Sequence, residues 1–264
     1  MKLNRLITGA ALALGLVMGG AASAATIVNL GFAIDKSGSV DAGDFTLQQQ
    51  GLANALSLIP TTGDVQYRVS VVAFGSDVTN LVTPQIVTAG NIGTIQSAIT
   101  GYSRSGTSST QTDDAINRLT SLFDPYDMEN TLTLYNISTD GSPSSQSATL
   151  TAANNAVAAG VDGISVELVG SFSTGQINNM LAITSPTPSE YVTVAGDLPN
   201  PTEAGFVFAV ENFADYEAAI SAKIQRIVDD TGGGDGVIPL PAGMPLMLSV
   251  IGVFAFVRRK RAAA

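Results

Sequence analysis

Ala25-Thr-Ile-Val-Asn-Leu-Gly-Phe-Ala-Ile34 runs directly into Asp35-Lys36-Ser37-Gly38-Ser39, and this stretch decides the fold. The first part is a nearly continuous apolar run of strand length. It lacks the strict alternation of a strand with one wet face, so it predicts a strand buried on both sides, as in a parallel sheet. The polar loop that follows leaves the strand at its carboxyl end. In open α/β sheets ligands bind at that end, where the winding reverses.

The remaining sequence alternates strand and helix. Asp44 to Ile59 places Phe45, Leu52, Leu56 and Ile59 at helical spacing and stops at Pro60. Tyr67 to Phe74 predicts a strand, with Asp77 to Val82 as an edge strand beside it. Further strands are expected over Thr131–Ser138, Ile164–Val169 and Phe206–Val210. Helices are expected over Thr112–Phe123, Ser145–Ala159, Thr174–Ile183 and Asn212–Asp229, the last with Phe213, Tyr216, Ile220, Ile224 and Ile227 on one stripe. This order predicts an α/β fold: a doubly wound, mostly parallel sheet flanked by helices on both faces. Ser185 to Gly205 contains four prolines and reads as an insertion loop.

Composition excludes several chemistries. The 264 residues include no histidine, cysteine or tryptophan. That removes Ser-His-Asp and Cys-His nucleophile pairs, zinc fingers, haem and iron–sulfur ligation, and disulfides. The 10 Phe, 6 Tyr and 45% hydrophobic content supply a core. Six of the 12 basic residues lie at the two extremes: Lys2, Arg5, Arg258, Arg259, Lys260 and Arg261. Between them stand six basic against 22 acidic residues, a net of −16. A body so acidic has no patch with which to replace the counterions of a nucleic acid.

Both ends read as addresses. Residues 1–24 have the form of a secretory signal peptide: Lys2 and Arg5, an apolar centre from Leu12 to Met18, and Ala22-Ser-Ala24 as the small-x-small site for signal peptidase. An uncleaved membrane anchor is the alternative. Residues 25–230 form the body, and 231–237 a Gly-rich linker. Residues 238–264 hold an apolar run long enough to span a bilayer, closed by Arg258, Arg259, Lys260 and Arg261, which the positive-inside rule keeps cytoplasmic. Pro239-Leu240-Pro241-Ala242-Gly243, with Ile238 inserted after Val237, the apolar stretch and the basic cluster together resemble the PEP-CTERM sorting signal in its V-P-L-P-A form. The resemblance implies a Gram-negative bacterium, transient inner-membrane anchoring, cleavage near Pro239 and Pro241 by an exosortase, and delivery to the cell surface or extracellular matrix. A plain single-span tail anchor is the alternative reading.

Three polar segments are expected on one edge of the sheet: Asp35-Lys-Ser-Gly-Ser39, Ser108-Ser-Thr-Gln-Thr-Asp-Asp-Ala-Ile116, and Thr139-Asp140-Gly141. Two carboxylates and several hydroxyls make an all-oxygen donor set, which suits a hard divalent cation with retained waters. Singly, each segment is an ordinary turn or cap. Asp41 and Asp44 are expected to cap or open the first helix, and Asp113 and Asp114 to favour a helix N-terminus. Asn136-Ile-Ser138 matches a glycosylation sequon but falls in an expected buried strand.

Together, in this order, the three segments resemble the metal-ion-dependent adhesion site of von Willebrand factor type A domains, over roughly Thr26 to Asp229. The resemblance implies Asp35, Ser37, Ser39, Thr110 and Asp140 as metal ligands. It implies Mg²⁺ as the ion, with Mn²⁺ or Ca²⁺ possible, and a partner carboxylate that completes the shell. Ser108-Ser109 departs from the paired glycines common in the family, and the insertion before Phe206 has no clear counterpart. The expected function is a non-enzymatic adhesion module for a protein or matrix ligand. A passive structural component of an exopolysaccharide or biofilm matrix, with the metal only stabilising the fold, and a metal-assisted hydrolase are the alternatives.

Overall fold

The computed structural model describes residues 26–128 and 131–232. The expected signal peptide with Ala24, most of the linker, the motif with Pro239 and Pro241, and the Arg258–Arg261 cluster lie outside the described residues. Among the described residues no helix is long and apolar enough to cross a membrane.

Among the described residues seven strands form one sheet in the order β3-β2-β1-β4-β5-β7-β6. They are β1 (Thr26–Asp35), β2 (Val65–Phe74), β3 (Val78–Ile86), β4 (Leu132–Thr139), β5 (Gly163–Val169), β6 (Glu190–Val192) and β7 (Phe206–Val210). Only the edge strand β3 runs antiparallel, paired with β2 through a tight turn. β1 is central and pairs in parallel with both β2 and β4. It is buried from Val28 to Asp35, as a continuous apolar run requires.

Helices cover both faces. α1 (Ala42–Ala55), α2 (Ile92–Thr100) and α6 (Tyr216–Asp230) pack on one, through Phe45, Leu52, Ile95, Ile99, Ile220 and Ile224. α3 (Thr112–Phe123), α4 (Gln146–Ala158) and α5 (Thr174–Leu181) pack on the other, through Ile116, Leu119, Ala153 and Met180. The doubly wound α/β architecture is therefore as expected. Asp41 caps α1 by accepting from the Asp44 N–H at 2.8 Å, and Asp113 and Asp114 occupy the first turn of α3.

Three details differ from the sequence expectation. α2 was not foreseen: its nine residues are too few for a clear period. The last helix begins at Tyr216 rather than Asn212, because Asn212 is spent on a turn, with its carbonyl accepting from the Asp215 N–H and its amide donating to Asp215 Oδ2. The Ser185–Gly205 insertion is not wholly irregular, since Glu190–Val192 adds β6 beside β7.

A polar network is buried between α6 and the sheet. Lys223 Nζ donates to Glu167 Oε1 at 2.7 Å and to Asn136 Oδ1, and lies 4.9 Å from the Phe206 ring centroid. Burial pushes the Lys223 ammonium below its ordinary pKa, opposed by the adjacent Glu167 carboxylate. Asn136 is buried in β4, so the sequon is not presented at the surface.

Candidate metal centre

The chain winds outward from β1 through β2 to β3, then returns to β4 on the other side of β1. The switch point thus lies between the carboxyl ends of β1 and β4. Asp35 is the last residue of β1, and Asp140 is the first after β4. Parallel register aligns Ile34 with Ser138, so the two loops start side by side.

Asp35 is fully buried. Its Oδ1 accepts the Ser37 N–H at 2.7 Å, which folds the loop back over the strand end. Its Oδ2 accepts the Thr139 hydroxyl at 2.6 Å. The Thr139 hydroxyl in turn accepts the Gly141 N–H at 3.1 Å and so shapes the turn that carries Asp140. Ser37 Oγ and Ser39 Oγ lie 3.2 Å apart, and Ser39 Oγ donates to Asp140 Oδ1 at 2.6 Å. Asp35, Ser37, Ser39 and Asp140 are therefore gathered in one chain of contacts.

Thr110 is placed differently. Its N–H donates to Ser144 Oγ at 2.9 Å, and its carbonyl accepts the Ser144 N–H at 2.8 Å. These bonds stitch its loop to the segment after Asp140. Its hydroxyl makes no hydrogen bond to the other four residues, so its backbone alone puts it at this edge. Gly38 permits the close approach of the neighbouring loop, because a Cβ there would stand 2.9 Å from the Thr107 carbonyl oxygen.

Burial without a counter-ion has an electrostatic cost. It pushes the Asp35 carboxyl up to about 6, against the lowering effect of the bonds from Thr139 and Ser37. Asp140 is raised too, by partial burial, with Ser39 opposing. Asp44 is raised by desolvation and by the charges of Asp41 and Asp140, so the rim of the site is acidic. Among the described residues no Lys or Arg pairs with Asp35 or Asp140. A buried carboxylate lacking a cationic side chain, beside a second carboxylate and two hydroxyls, is a donor set that fits a hard divalent ion. Among the described residues no three His, Cys, Asp or Glu side chains cluster as a metal cage. A cation here must rely on hydroxyls.

Sequence reasoning missed the supports. Gln48 of α1 brackets the end of β1: its Oε1 accepts the Asp35 N–H at 3.0 Å and its Nε2 donates to the Asp35 carbonyl at 3.0 Å. The Ser138 hydroxyl adds a 2.7 Å bond to Gln48 Oε1. A glutamine on the buried side of α1 was the available signal. Lys36 is also buried, and its ammonium turns away from the carboxylates. It donates to Asp77 Oδ1 at 2.7 Å, Tyr102 OH at 3.0 Å and Thr79 Oγ1 at 3.2 Å. It thereby ties the β2–β3 turn to the segment after α2.

The sequence profile of the von Willebrand factor type A domain matches residues 29–222. No curated protein matches the chain in sequence. Solved structures share its fold at low identity. Proximal thread matrix protein 1 from the mussel byssus is 15% identical with a TM-score of 0.56, over 77% of this chain and 47% of that one. A further structure of that protein has a zinc-occupied MIDAS motif. The pilus adhesin SpaC from Lactobacillus rhamnosus GG, in an open conformation, is 16% identical with a TM-score of 0.57, over 77% of this chain and 30% of that one. BatB from Bacteroides thetaiotaomicron is 14% identical with a TM-score of 0.50, over 75% of this chain and 98% of that one. The chain spans about half the length of the mussel protein and under a third of the adhesin.

Proposed function

The chain belongs to the von Willebrand factor type A domain family, and on that premise we propose that its body is a surface or matrix adhesion module working through one divalent cation. Asp35, Ser37, Ser39, Thr110 and Asp140 hold the ion, with Mg²⁺ the best match and Mn²⁺ or Ca²⁺ as substitutes. Two negative charges and neutral hydroxyls leave the ion electrophilic. A carboxylate of the partner replaces a water on it and completes the shell. The observation that carries this reading is the convergence of Asp35 and Asp140, without a basic partner, at the switch point of the sheet.

The cation supplies the positive charge that the site lacks. This chain's residues orient it: Gln48 fixes the end of β1, Thr139 fixes both carboxylate loops, and Ser144 holds the Thr110 loop against the Asp140 segment. The reading is of a binding module, not an enzyme. The matrix and adhesin roles named for two proteins of the same fold support it. Export by the N-terminal segment and surface sorting by the C-terminal tail complete the proposal.

Calorimetric titration of the metal-free chain with Mg²⁺ tests it. Saturable uptake by the wild type, and none by Asp35→Ala with its fold intact by circular dichroism, is the expected result. Undiminished uptake by Asp35→Ala overturns the ligand assignment.

A further inference from the structure

Asn136, Glu167 and Lys223 meet inside the protein, with 4%, 0% and 2% of their surfaces exposed. Asn136 of β4 lies opposite Ser165 of β5, and Glu167 stands two residues further along that strand. The period of two therefore aims both side chains at one face, and α6 lays Lys223 over them. Lys223 Nζ touches the Asn136 carboxamide at Oδ1 and donates to Glu167 Oε1 at 2.7 Å. Leu30, Phe32, Leu134 and Ile227 wall the space beside the amine, and the Phe206 ring centroid is 4.9 Å from Nζ.

An ion pair alone leaves this cluster incomplete. Among the described residues Asn136 Nδ2 and Glu167 Oε2 have no hydrogen-bond partner although both are buried. Buried polar atoms of that kind call for an explanation. Apolar surroundings favour a neutral amine, and burial does push the Lys223 ammonium below its ordinary pKa. A desolvated neutral lysine is a nucleophile, and here it is held against a carboxamide. Lys36, the other buried lysine, meets Asp77, Tyr102 and Thr79 and no carboxamide. A void of about 10 Å³, close to the room one water molecule needs, borders both Asn136 and Lys223.

We propose that Lys223 and Asn136 join through an intramolecular isopeptide bond, with Glu167 as the proton acceptor. The inference is independent of the metal reading. Lys223 first passes one proton to Glu167 Oε1 and becomes a neutral amine. Its lone pair attacks Asn136 Cγ, so an Nζ–Cγ bond forms and the carbonyl pair moves onto Oδ1. As that pair returns, the Cγ–Nδ2 bond breaks. Nδ2 leaves with the bonding electrons, takes a second proton from Nζ and departs as ammonia, with the adjoining void as its first station. A secondary amide remains, and Glu167 keeps the first proton. No oxidant or other reactant is consumed.

The chain has no cysteine, so no disulfide can staple it. The proposed bond is a staple that reduction does not open, and it ties α6 to β4 across 87 positions.

Intact-mass measurement of the folded, then denatured, full chain tests the proposal. The wild type should be lighter than its sequence by one ammonia molecule. Trypsin should then fail to cut after Lys223, so that the fragment beginning at Leu119 runs on to Arg226. A second digestion with chymotrypsin should leave two peptides joined, one holding Asn136 and the other Lys223. Lys223→Met and Asn136→Ala should each show the full calculated mass. Glu167→Gln should slow the joining about 100-fold or more, as for loss of a general base, while its circular dichroism stays that of the wild type. Lys223→Met with and without Glu167→Gln both lack the bond, so the difference between those two reads only the charge stranded on Glu167. A wild type at full mass, or cut by trypsin after Lys223, overturns the bond whatever the variants do. Ammonia loss that persists in Lys223→Met also overturns it, and equally fast joining in Glu167→Gln overturns the role given to Glu167.

Discussion

Ser39 Oγ donates to Asp140 Oδ1 at 2.6 Å although the residues are 101 positions apart. The bond joins the loop that ends β1 to the loop that ends β4, and parallel pairing of those strands makes it possible. Removing the Asp140 carboxylate takes away one of two charges facing the proposed ion. Asp140→Ala is expected to weaken Mg²⁺ binding at least ~10-fold, the lower end of the loss seen even for outer partners of metal sites. Because Asp140 is only half-buried, the fold should survive. Calorimetry together with far-UV circular dichroism checks both statements.

Asp35 gives a pH signature. Its carboxyl is raised to about 6 in the folded chain against 3.8 as the unperturbed value. The folded state therefore holds the proton more tightly than the unfolded state. A raised acid contributes stability below the unfolded pKa, and that contribution is lost as pH rises through the folded pKa. The gap corresponds to about 3 kcal/mol of cost for the metal-free protein above pH 6. Asp35→Asn should thus gain stability relative to wild type between pH 4 and pH 7.5, and saturating Mg²⁺ should close the gap from the wild-type side. Urea denaturation of the metal-free proteins at both pH values is the measurement. Parallel behaviour of the two proteins would contradict it.

Lys36 anchors the loop system from below. Its ammonium is buried, whereas its partner Asp77 is 59% exposed. Lys36→Met keeps the stem but removes the ammonium that Tyr102 and Thr79 share, leaving the two hydroxyls to each other and to Ser105, while Asp77 can turn to water. A loss of about 1–3 kcal/mol is expected. Limited proteolysis should then cut first within Gly101–Gln111, the segment that this cluster restrains.

The Lys223–Glu167 pair predicts a non-additive outcome. Lys223→Met leaves Glu167 buried and uncompensated, which should cost about 3–5 kcal/mol. Adding Glu167→Gln removes the stranded charge and should recover most of that loss. A double-mutant cycle in urea reads the coupling, and simple additivity would count against an interacting pair.

Much of the architecture was legible because burial leaves a strong mark on sequence. The continuous apolar run of β1 and the stripe of α6 have no other economical explanation. Asp35 and Asp140 could be placed on one edge because each stands at the carboxyl end of a strand in a parallel sheet. The supports were not legible. Gln48, Thr139 and Lys36 act across 13, 104 and 41 positions, and nothing local marks a glutamine or lysine whose partner is that distant. α2 and β6 escaped because both are short. Asn212 matched the polar start of a helix, yet its bond to Asp215 serves a turn instead.

The meeting of β1 with β4 has a kinetic corollary. Donors drawn from such distant parts of the chain exist as a set only after the central sheet has closed, so an ion cannot template early folding. Mg²⁺ should leave the refolding rate nearly unchanged and slow unfolding instead. A protein built this way would owe its persistence to the salts around it, and chelation would shorten its lifetime before it altered its shape.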